Sequence, residues 1–228
     1  MKRAFVGITG ASGHAYAAAL IQALVRAGVG VDVSITDAGC KVLRHELGVE
    51  AGLHGEGLAA ALPGWLGAEV AGHVRAFDSA AVEAPPSSGT ALTSGVILCP
   101  CSMGTLARVS VGFSSNLVER AADVALKEGR TLILVPREAP LSAIHLENML
   151  RLARLGAVIL PASPGFYHRP KTVEDLVHHV VGKVLDRLGL AHGVGARWKG
   201  LSPAAEDPGT GAAPPRDPLA GNGGAAIP

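Results

Sequence analysis

The chain has 228 residues, of which 48% are apolar, enough to build a sizeable hydrophobic core. Its 20 basic and 19 acidic side chains nearly balance, and only 4% of the residues are aromatic. This composition excludes the basic surface and the aromatic stacking platforms that are typical of nucleic-acid-binding proteins.

Hydropathy and cysteine content indicate the cellular setting. No apolar run reaches the length of a membrane span, and the N-terminal apolar stretch is too short for a signal peptide. The three cysteines, Cys40, Cys99 and Cys101, fit neither a disulfide framework nor the spacing of a zinc site. We therefore expect reduced, buried cysteines in a cytoplasmic protein.

The first fifty residues predict strands that alternate with helices. The predicted elements are a buried strand over 3–9, a helix over 14–27, a strand over 29–36 and a helix over 38–47. Asp37 is expected to cap the second of these helices. A strand, a helix and a second strand in this order imply a parallel sheet.

The alternation continues to about residue 190. We predict a short helix around 57–66, a loop over 84–95, a strand over 96–99 that Pro100 ends, helices over 102–111 and 115–128, a strand over 131–135, a helix over 142–155, a strand over 157–160 and a helix over 173–188.

The predicted fold is a three-layer α/β domain over residues 1–200. It has a Rossmann-like (flavodoxin-like) parallel sheet and helices on both faces. Residues 201–228 are rich in Pro, Gly and Ala, and predict a disordered tail.

The end of the 131–135 strand carries a cation beside a carboxylate. Arg137 and Glu138 follow that strand directly, between Pro136 and Pro140. Ligands of open parallel sheets bind beyond the carboxyl ends of the strands. Arg137 is therefore placed to bind an anion and Glu138 to transfer a proton. The alternative is an exposed ion pair on an ordinary loop.

Three earlier strand ends carry small polar residues and helix N-termini. The Gly10-Ala11-Ser12-Gly13 turn has the geometry of a phosphate cradle, with unpaired helix N–H groups, but lacks the third glycine of the dinucleotide fingerprint. It therefore favours a mononucleotide, with a purely structural turn as the alternative. Thr36 ends the second strand, and Ser102, Met103, Gly104 and Thr105 follow the third. Capping alone would explain Thr36 and Ser102, but together with Arg137 these ends outline a site for a phosphorylated planar ligand.

Other polar residues allow two interpretations each. Lys183 shares a helix face with apolar residues, so it either extends to solvent or meets an anion. Tyr167 lies in the Pro164–Pro170 loop, where simple packing is the alternative. His178 and His179 are interpreted as helix surface, and Lys127 as half of a solvated pair with Glu128.

Several motifs in this order resemble the UbiX-like flavin prenyltransferases, within the homo-oligomeric flavin-containing Cys decarboxylase-like family. The resemblance covers residues 3 to about 190. Its motifs are Ile8–Gly13, Cys99–Leu106, Asn116–Glu128, Arg137–Ser142, His145–Met149 and Pro164–Pro170.

The resemblance implies an activity and a set of site residues. The activity joins reduced FMN to the dimethylallyl group of dimethylallyl phosphate, and the prenylated FMN serves a UbiD-type decarboxylase. The implied FMN-binding residues are Gly10, Ala11, Ser12, Gly13, Thr36, Ser102, Met103, Gly104, Thr105 and Arg137. Tyr167 and Lys183 would bind the donor phosphate. Glu138, Ser12, Glu46 and Lys127 would act in catalysis, in a dodecamer built from trimers with interfacial sites.

Two departures and two alternatives remain at this stage. Ala139 stands where the family has Thr, and Ala91 stands where an aromatic residue lines the prenyl pocket, which leaves the donor length open. One alternative is an FMN-dependent cysteine-type decarboxylase, although loop 161–167 lacks the asparagine of such enzymes. The other is a non-catalytic flavin carrier. No Asp-rich or His cluster is present to hold magnesium and pyrophosphate, so we expect metal-independent chemistry on a monophosphate.

Overall fold

Six parallel strands form one sheet in a computed structural model that describes residues 2–91 and 93–195. The strands are β1 (Arg3–Ile8), β2 (Gly30–Ile35), β3 (Val74–Phe77), β4 (Val96–Cys101), β5 (Leu132–Pro136) and β6 (Val158–Ile159). Their order in the sheet is β3-β2-β1-β4-β5-β6. This is the order of doubly wound nucleotide-binding folds, in which the connections leave β1 and β4 in opposite directions. The predicted fold class is confirmed.

Helices cover both faces of this sheet. They are α1 (His14–Arg26), α2 (Asp37–Leu47), α3 (Leu58–Leu66), α4 (Ala68–Ala71), α5 (Met103–Ser110), α6 (Leu117–Lys127), α7 (Ala143–Arg154) and α8 (Val173–Arg187). One buried core joins the sheet to α1, α3 and α8, and a second joins it to α5, α6 and α7. Because both faces are covered, the central strands are buried along their whole length.

Most predicted elements lie within two residues of the observed ones, but β3 was missed. It is a four-residue edge strand that pairs only with β2. Its Arg75 donates two hydrogen bonds to Asp32 of β2 at 2.8 Å, and Arg3 of β1 donates to the same carboxylate at 2.8 Å. This edge is therefore stabilised by charge as well as by backbone pairing, which an apolar pattern does not reveal.

Two predicted boundaries are wrong. We expected Pro100 to end β4, but the strand continues to Cys101, and its register against β5 shifts between Leu98 and Cys101. The shift accommodates a residue that has no N–H to donate. Asp37 does not cap α2. The hydroxyl of Thr36 accepts the Gly39 N–H at 3.2 Å and forms the cap.

Three further sequence-based expectations concern the tail, membrane-spanning segments and the cysteines. The predicted tail, 201–228, lies outside the described residues. Over the described part, the helices include none that is long and apolar enough to cross a membrane. The three cysteines of that part are free and buried.

Gly7 of β1 packs closely against α6 and β4, and its substitution tests this packing. A Cβ there would lie 2.6 Å from Cγ1 of Val118 and 2.7 Å from Cδ2 of Leu98. We expect Gly7→Ala to lower the free energy of unfolding by about 1–3 kcal/mol, the usual effect of overpacking. Urea unfolding followed by circular dichroism measures this difference.

Gly64 provides the matched control. It lies inside α3, and a Cβ there would meet nothing within 4 Å. Gly64→Ala is therefore expected to be neutral or slightly stabilising, because alanine is the better helix former. Equal effects of the two substitutions would contradict the close packing at Gly7.

Candidate active site

The loop between β1 and α1 leaves little room for side chains. A Cβ on Gly10 would lie 2.6 Å from the Cβ of Ala38. Gly13 has a φ of 110°, a conformation that glycine adopts without strain. Ala11 is buried and Ser12 is exposed. The backbone therefore passes close to α2 and presents Ser12 at the carboxyl edge of the sheet.

A carboxylate binds the N-terminus of α1. Glu46, in the last turn of α2, accepts the Gly13 N–H at 3.1 Å and the His14 N–H at 2.9 Å. Burial favours the neutral carboxyl, but hydrogen bonds from Ser12, His14 and Gly13 outweigh it and hold the pKa of Glu46 below its usual range. The expectation that these helix N–H groups are unpaired is therefore wrong for Gly13 and His14.

Thr9 joins the ends of the two central strands, and sequence reasoning assigned it no role. Its hydroxyl donates to the carbonyl oxygen of Pro100 at 2.8 Å and accepts the N–H of Ser102 at 2.7 Å. The hydroxyl of Ser102 in turn accepts the Thr105 N–H at 3.3 Å and caps α5. The signal in the sequence was a threonine placed between a buried strand and the glycine turn.

His14 is a second residue that the sequence did not single out. Its side chain is fully buried, with Nδ1 3.5 Å from Oε2 of Glu46. Burial lowers the pKa of His14, although the charge of Glu46 opposes this. The imidazole beside Glu46 is therefore neutral at physiological pH.

Arg137 reaches from β5 to the first loop. Its Nε donates to the carbonyl oxygen of Ser12 at 3.4 Å, while its backbone N–H donates to Cys101 at 3.3 Å. Glu138 is exposed, and its carboxylate accepts the Ala139 N–H at 3.1 Å. Among the described residues Arg137 and Glu138 form no ion pair with each other, so the exposed-pair alternative is not what the structure shows.

The carboxyl edge of the sheet thus carries all ten of the predicted cofactor residues. Thr36 is buried there as the cap of α2, and Ser102 is the cap of α5. A rim is formed by residues of the β1, β2, β4 and β5 ends, namely Gly10, Ala11, Ser12, Gly13, Thr36, Ser102, Met103, Gly104, Thr105 and Arg137. Hydroxyl groups, helix N-termini and the guanidinium of Arg137 line this rim, and Arg108 of α5 donates to the Thr105 hydroxyl at 3.3 Å.

Tyr167 and Lys183 form a second group. Tyr167 is 79% exposed on the loop after β6, and Lys183 is exposed on α8. His179, one helical turn before Lys183, accepts the N–H of Gly165 from the same loop at 2.7 Å. The loop and the helix are therefore in contact close to both predicted phosphate ligands.

Lys127 lies near the amino-terminal ends of the strands, on the side of the sheet opposite the rim. It ends α6, directly before β5 begins, and pairs with Glu128. The same two residues flank Gly89, and Arg130 donates to the carbonyl oxygens of Gly89 and Ala91. Within one chain, Lys127 therefore joins the 87–91 segment and not the rim that contains Arg137.

Comparison with known proteins identifies the family. The sequence profile of the Flavoprotein family matches residues 1–185. A flavin prenyltransferase UbiX from Pseudomonas aeruginosa is 48% identical over 86% of this chain and 94% of its own length. The chain belongs to the UbiX family of flavin prenyltransferases.

Solved structures of the UbiX family support the assignment. AnUbiX (PadA1), crystallised with FMN and dimethylallyl pyrophosphate, superposes with a TM-score of 0.77 at 37% identity, over 88% of this chain and 99% of its own. A dodecameric FMN-dependent UbiX-like decarboxylase from Escherichia coli O157:H7 gives a TM-score of 0.75 at 44% identity, over 87% of this chain and 100% of its own.

The rim residues of this UbiX-family chain fit FMN. Arg137 supplies a cation for a phosphate, and Ser12 an exposed hydroxyl. At the N-terminus of α5, Gly104 leaves open space, because a Cβ there would meet only Nη1 of Arg108, at 3.6 Å. Across the described residues, no group of three or more His, Cys, Asp or Glu side chains could hold a metal ion.

Replacing Arg137 tests whether the rim binds the cofactor. We expect Arg137→Ala to weaken FMN binding by roughly 2–3 kcal/mol, the size of a hydrogen bond to a charged group. Fluorescence titration with FMN measures this loss. Arg151→Ala is the matched control, because Arg151 is an exposed arginine on α7, remote from the rim. Equal FMN affinities of the two variants would contradict the assignment of Arg137.

Proposed function

We propose that this protein transfers the dimethylallyl group of dimethylallyl phosphate to reduced FMN. The product, prenylated FMN, would serve a decarboxylase of the UbiD type in the cytoplasm. The observation that carries the proposal is the contact of Arg137 with Ser12. It joins the first and the fourth of the motifs that the chain shares with its family at one edge of the sheet.

The rim binds and orients the cofactor. Arg137 holds the phosphate or the polar edge of the flavin, and the capped N-termini of α2 and α5 point toward the same place. Glu46 already neutralises the N-terminus of α1. The anionic part of the ligand is thus directed to Arg137 and to the remaining N–H groups. When bound, the reduced flavin supplies the ring that accepts the prenyl group.

Glu138 is the group placed to move a proton. It lies next to Arg137 at the rim and is exposed, with only the adjacent Ala139 N–H as its hydrogen-bond donor among the described residues. A carboxylate with free lone pairs can accept a proton from the flavin and pass it to the departing phosphate. Ser12, exposed on the facing loop, is within the same rim and can assist this transfer.

The donor phosphate needs a positive environment as it leaves an allylic carbon. Lys183 provides a cation and Tyr167 a hydroxyl, and both are exposed near the Gly165–His179 contact. Prearranged groups of this kind stabilise a developing anion without a metal. A monophosphate suits this small set of groups. Because a relative was crystallised with dimethylallyl pyrophosphate, both donors belong in the assay.

The site is completed by a second copy of the chain. Lys127 and the 87–91 segment lie at the amino-terminal edge of the sheet, opposite the rim. A solved relative is a dodecamer. We infer a homo-oligomer, most simply a dodecamer, in which the Lys127 edge of one subunit meets the Arg137 rim of another. The small side chain of Ala91 then faces the prenyl group and leaves room for longer donors.

Anaerobic turnover tests the proposed reaction directly. The protein is incubated with dithionite-reduced FMN and dimethylallyl phosphate in the presence of EDTA. We expect mass spectrometry to detect FMN enlarged by one five-carbon unit, because the site residues supply the charges that the reaction needs. The assay is repeated with the pyrophosphate and with longer prenyl phosphates. Recovery of unmodified FMN with every donor would contradict the proposal.

Glu138→Gln separates proton transfer from cofactor binding in the same assay. We expect FMN affinity to be retained and turnover to fall on the order of 10²–10⁴-fold, as for a lost general acid or base. Glu147→Gln, an exposed site on α7, makes the same charge change and should leave turnover unaltered. Normal turnover by Glu138→Gln would remove Glu138 from the mechanism.

Subunit mixing tests the composite site. At an FMN concentration near the Kd of the wild type, Lys127→Ala and Arg137→Ala chains are each expected to be nearly inactive alone. Co-expressed, they should recover about a quarter of the wild-type activity, because a site with the two residues from different chains is intact in one random pairing of four. If one chain supplied both residues, no mixture would recover. A 23.1 kDa particle by light scattering would also contradict the composite site.

A further inference from the structure

A hydrogen bond joins the Tyr167 loop to the helix that carries Lys183. The N–H of Gly165 donates to Nδ1 of His179 at 2.7 Å. Gly165 lies two residues before Tyr167, and His179 lies one helical turn before Lys183 on α8. The hydrogen bond therefore links the segment that carries Tyr167 to the helix that carries Lys183.

Packing around the imidazole reinforces this contact. A Cβ on Gly165 would lie 2.9 Å from Cε1 of His179, so only glycine allows the loop to approach this closely. On the other side the ring of His168 lies 5.1 Å from that of His179, tilted by 54°. Two residues that flank Tyr167 in the chain are thus both in contact with His179.

The hydrogen bond requires an unprotonated Nδ1. Burial lowers the pKa of His179, and the charges of His168 and Lys183 act in the same direction. The nearby carboxylate of Asp175 is engaged by the N–H groups of Lys171 and Thr172. No acidic side chain of the described residues offers His179 a compensating ion pair.

The two other histidines on and just after α8 have acidic partners of their own. His178 faces Glu174 at 3.7 Å, and His192, on the segment after α8, pairs with Asp186 at 3.1 Å. The groups that face His179 are therefore His168 from the loop and Lys183 from its own helix. Both favour a neutral imidazole that accepts the Gly165 N–H.

We propose that His179 is a positioning residue for the prenyl donor: by accepting the Gly165 N–H, it sets Tyr167 beside Lys183 so that the two bind one phosphate. The inference rests on the proposed function for the identity of the ligand. It adds a residue that sequence reasoning treated as plain helix surface. His179 touches neither flavin nor donor in this role and acts through the loop.

Three substitutions separate the acceptor from the bulk of the ring. In His179→Asn, the amide oxygen can take the place of Nδ1, and the side chain does not titrate. His179→Gln places its oxygen farther out, near the position of Nε2, and His179→Leu has no acceptor. His178→Asn changes the neighbouring histidine, which lies outside the proposed site, and serves as the control.

Steady-state kinetics with dimethylallyl phosphate gives the first measurement. We expect His179→Leu and His179→Gln to raise KM for the donor about three- to tenfold, the value of one hydrogen bond, and to lower kcat, because the same two groups stabilise the departing phosphate, with FMN affinity unchanged. His179→Asn and His178→Asn should stay within about twofold of the wild type. Equal KM values for the wild type and His179→Leu would overturn the inference.

The pH dependence of KM gives the second measurement. Because docking lowers the pKa of His179, the docked loop is favoured above the ordinary histidine value of 6.5 and is lost as the pH falls below it. KM of the wild type should therefore rise on acidification more steeply than KM of His179→Asn. The donor phosphate titrates near pH 6 in both proteins, so the ratio of the two profiles isolates His179. Identical profiles would overturn the inference.

Hydrogen exchange of the 163–169 peptide, measured without donor or flavin, does not depend on the activity. Slow exchange is expected for the wild type and for His179→Asn, and faster exchange for His179→Leu. Equal exchange rates in the wild type and in His179→Leu would overturn the inference. Exchange that follows them while no donor is ever transferred would instead overturn the proposed function and leave the His179 contact standing.

Discussion

The hydroxyl of Thr9 is the point on which the organisation of the site depends. It donates to the backbone of one central strand end and accepts from the residue that follows it, so β1 and β4 end together. From that shared edge the chain leaves in opposite directions, to α1 on one face and to α5 on the other. Arg137 reaches this edge from β5 and donates to the carbonyl oxygen of Ser12. A ligand bound at this edge would meet residues from the ends of β1, β2, β4 and β5.

The distribution of charge at this edge follows from one internal carboxylate. Glu46 occupies the N-terminus of α1, where an incoming phosphate would otherwise find two free N–H groups. The buried, neutral His14 beside it adds no positive charge. Arg137 is therefore the dominant cation of the rim. The arrangement favours a ligand whose anionic group reaches β5 over one whose pyrophosphate lies along the first glycine turn, as in dinucleotide-binding relatives of the fold.

The sequence predicted the parallel sheet and most of the rim, because buried strands and glycine turns leave strong local patterns. It missed β3, where four residues at an edge are held by Asp32 and two arginines. It predicted that β4 ends at Pro100, because proline usually ends a strand. A register shift instead lets the strand continue through this proline. Glu46 was found through family resemblance alone, since a carboxylate in the last turn of a helix resembles any solvated residue. His179 was treated as surface, because its partner lies fourteen residues away in a loop.

The position of Lys127 has a consequence for the cell. Its side chain and the 87–91 segment lie across the whole length of the strands from Arg137. In the composite site that we propose, catalysis is a property of the assembly, so specific activity falls on dilution below the dissociation constant of the subunits. A cell that makes few copies of the chain would lose activity faster than it loses protein. In that composite site a substitution at one edge removes one site per altered chain, whereas a chain altered at both edges removes two.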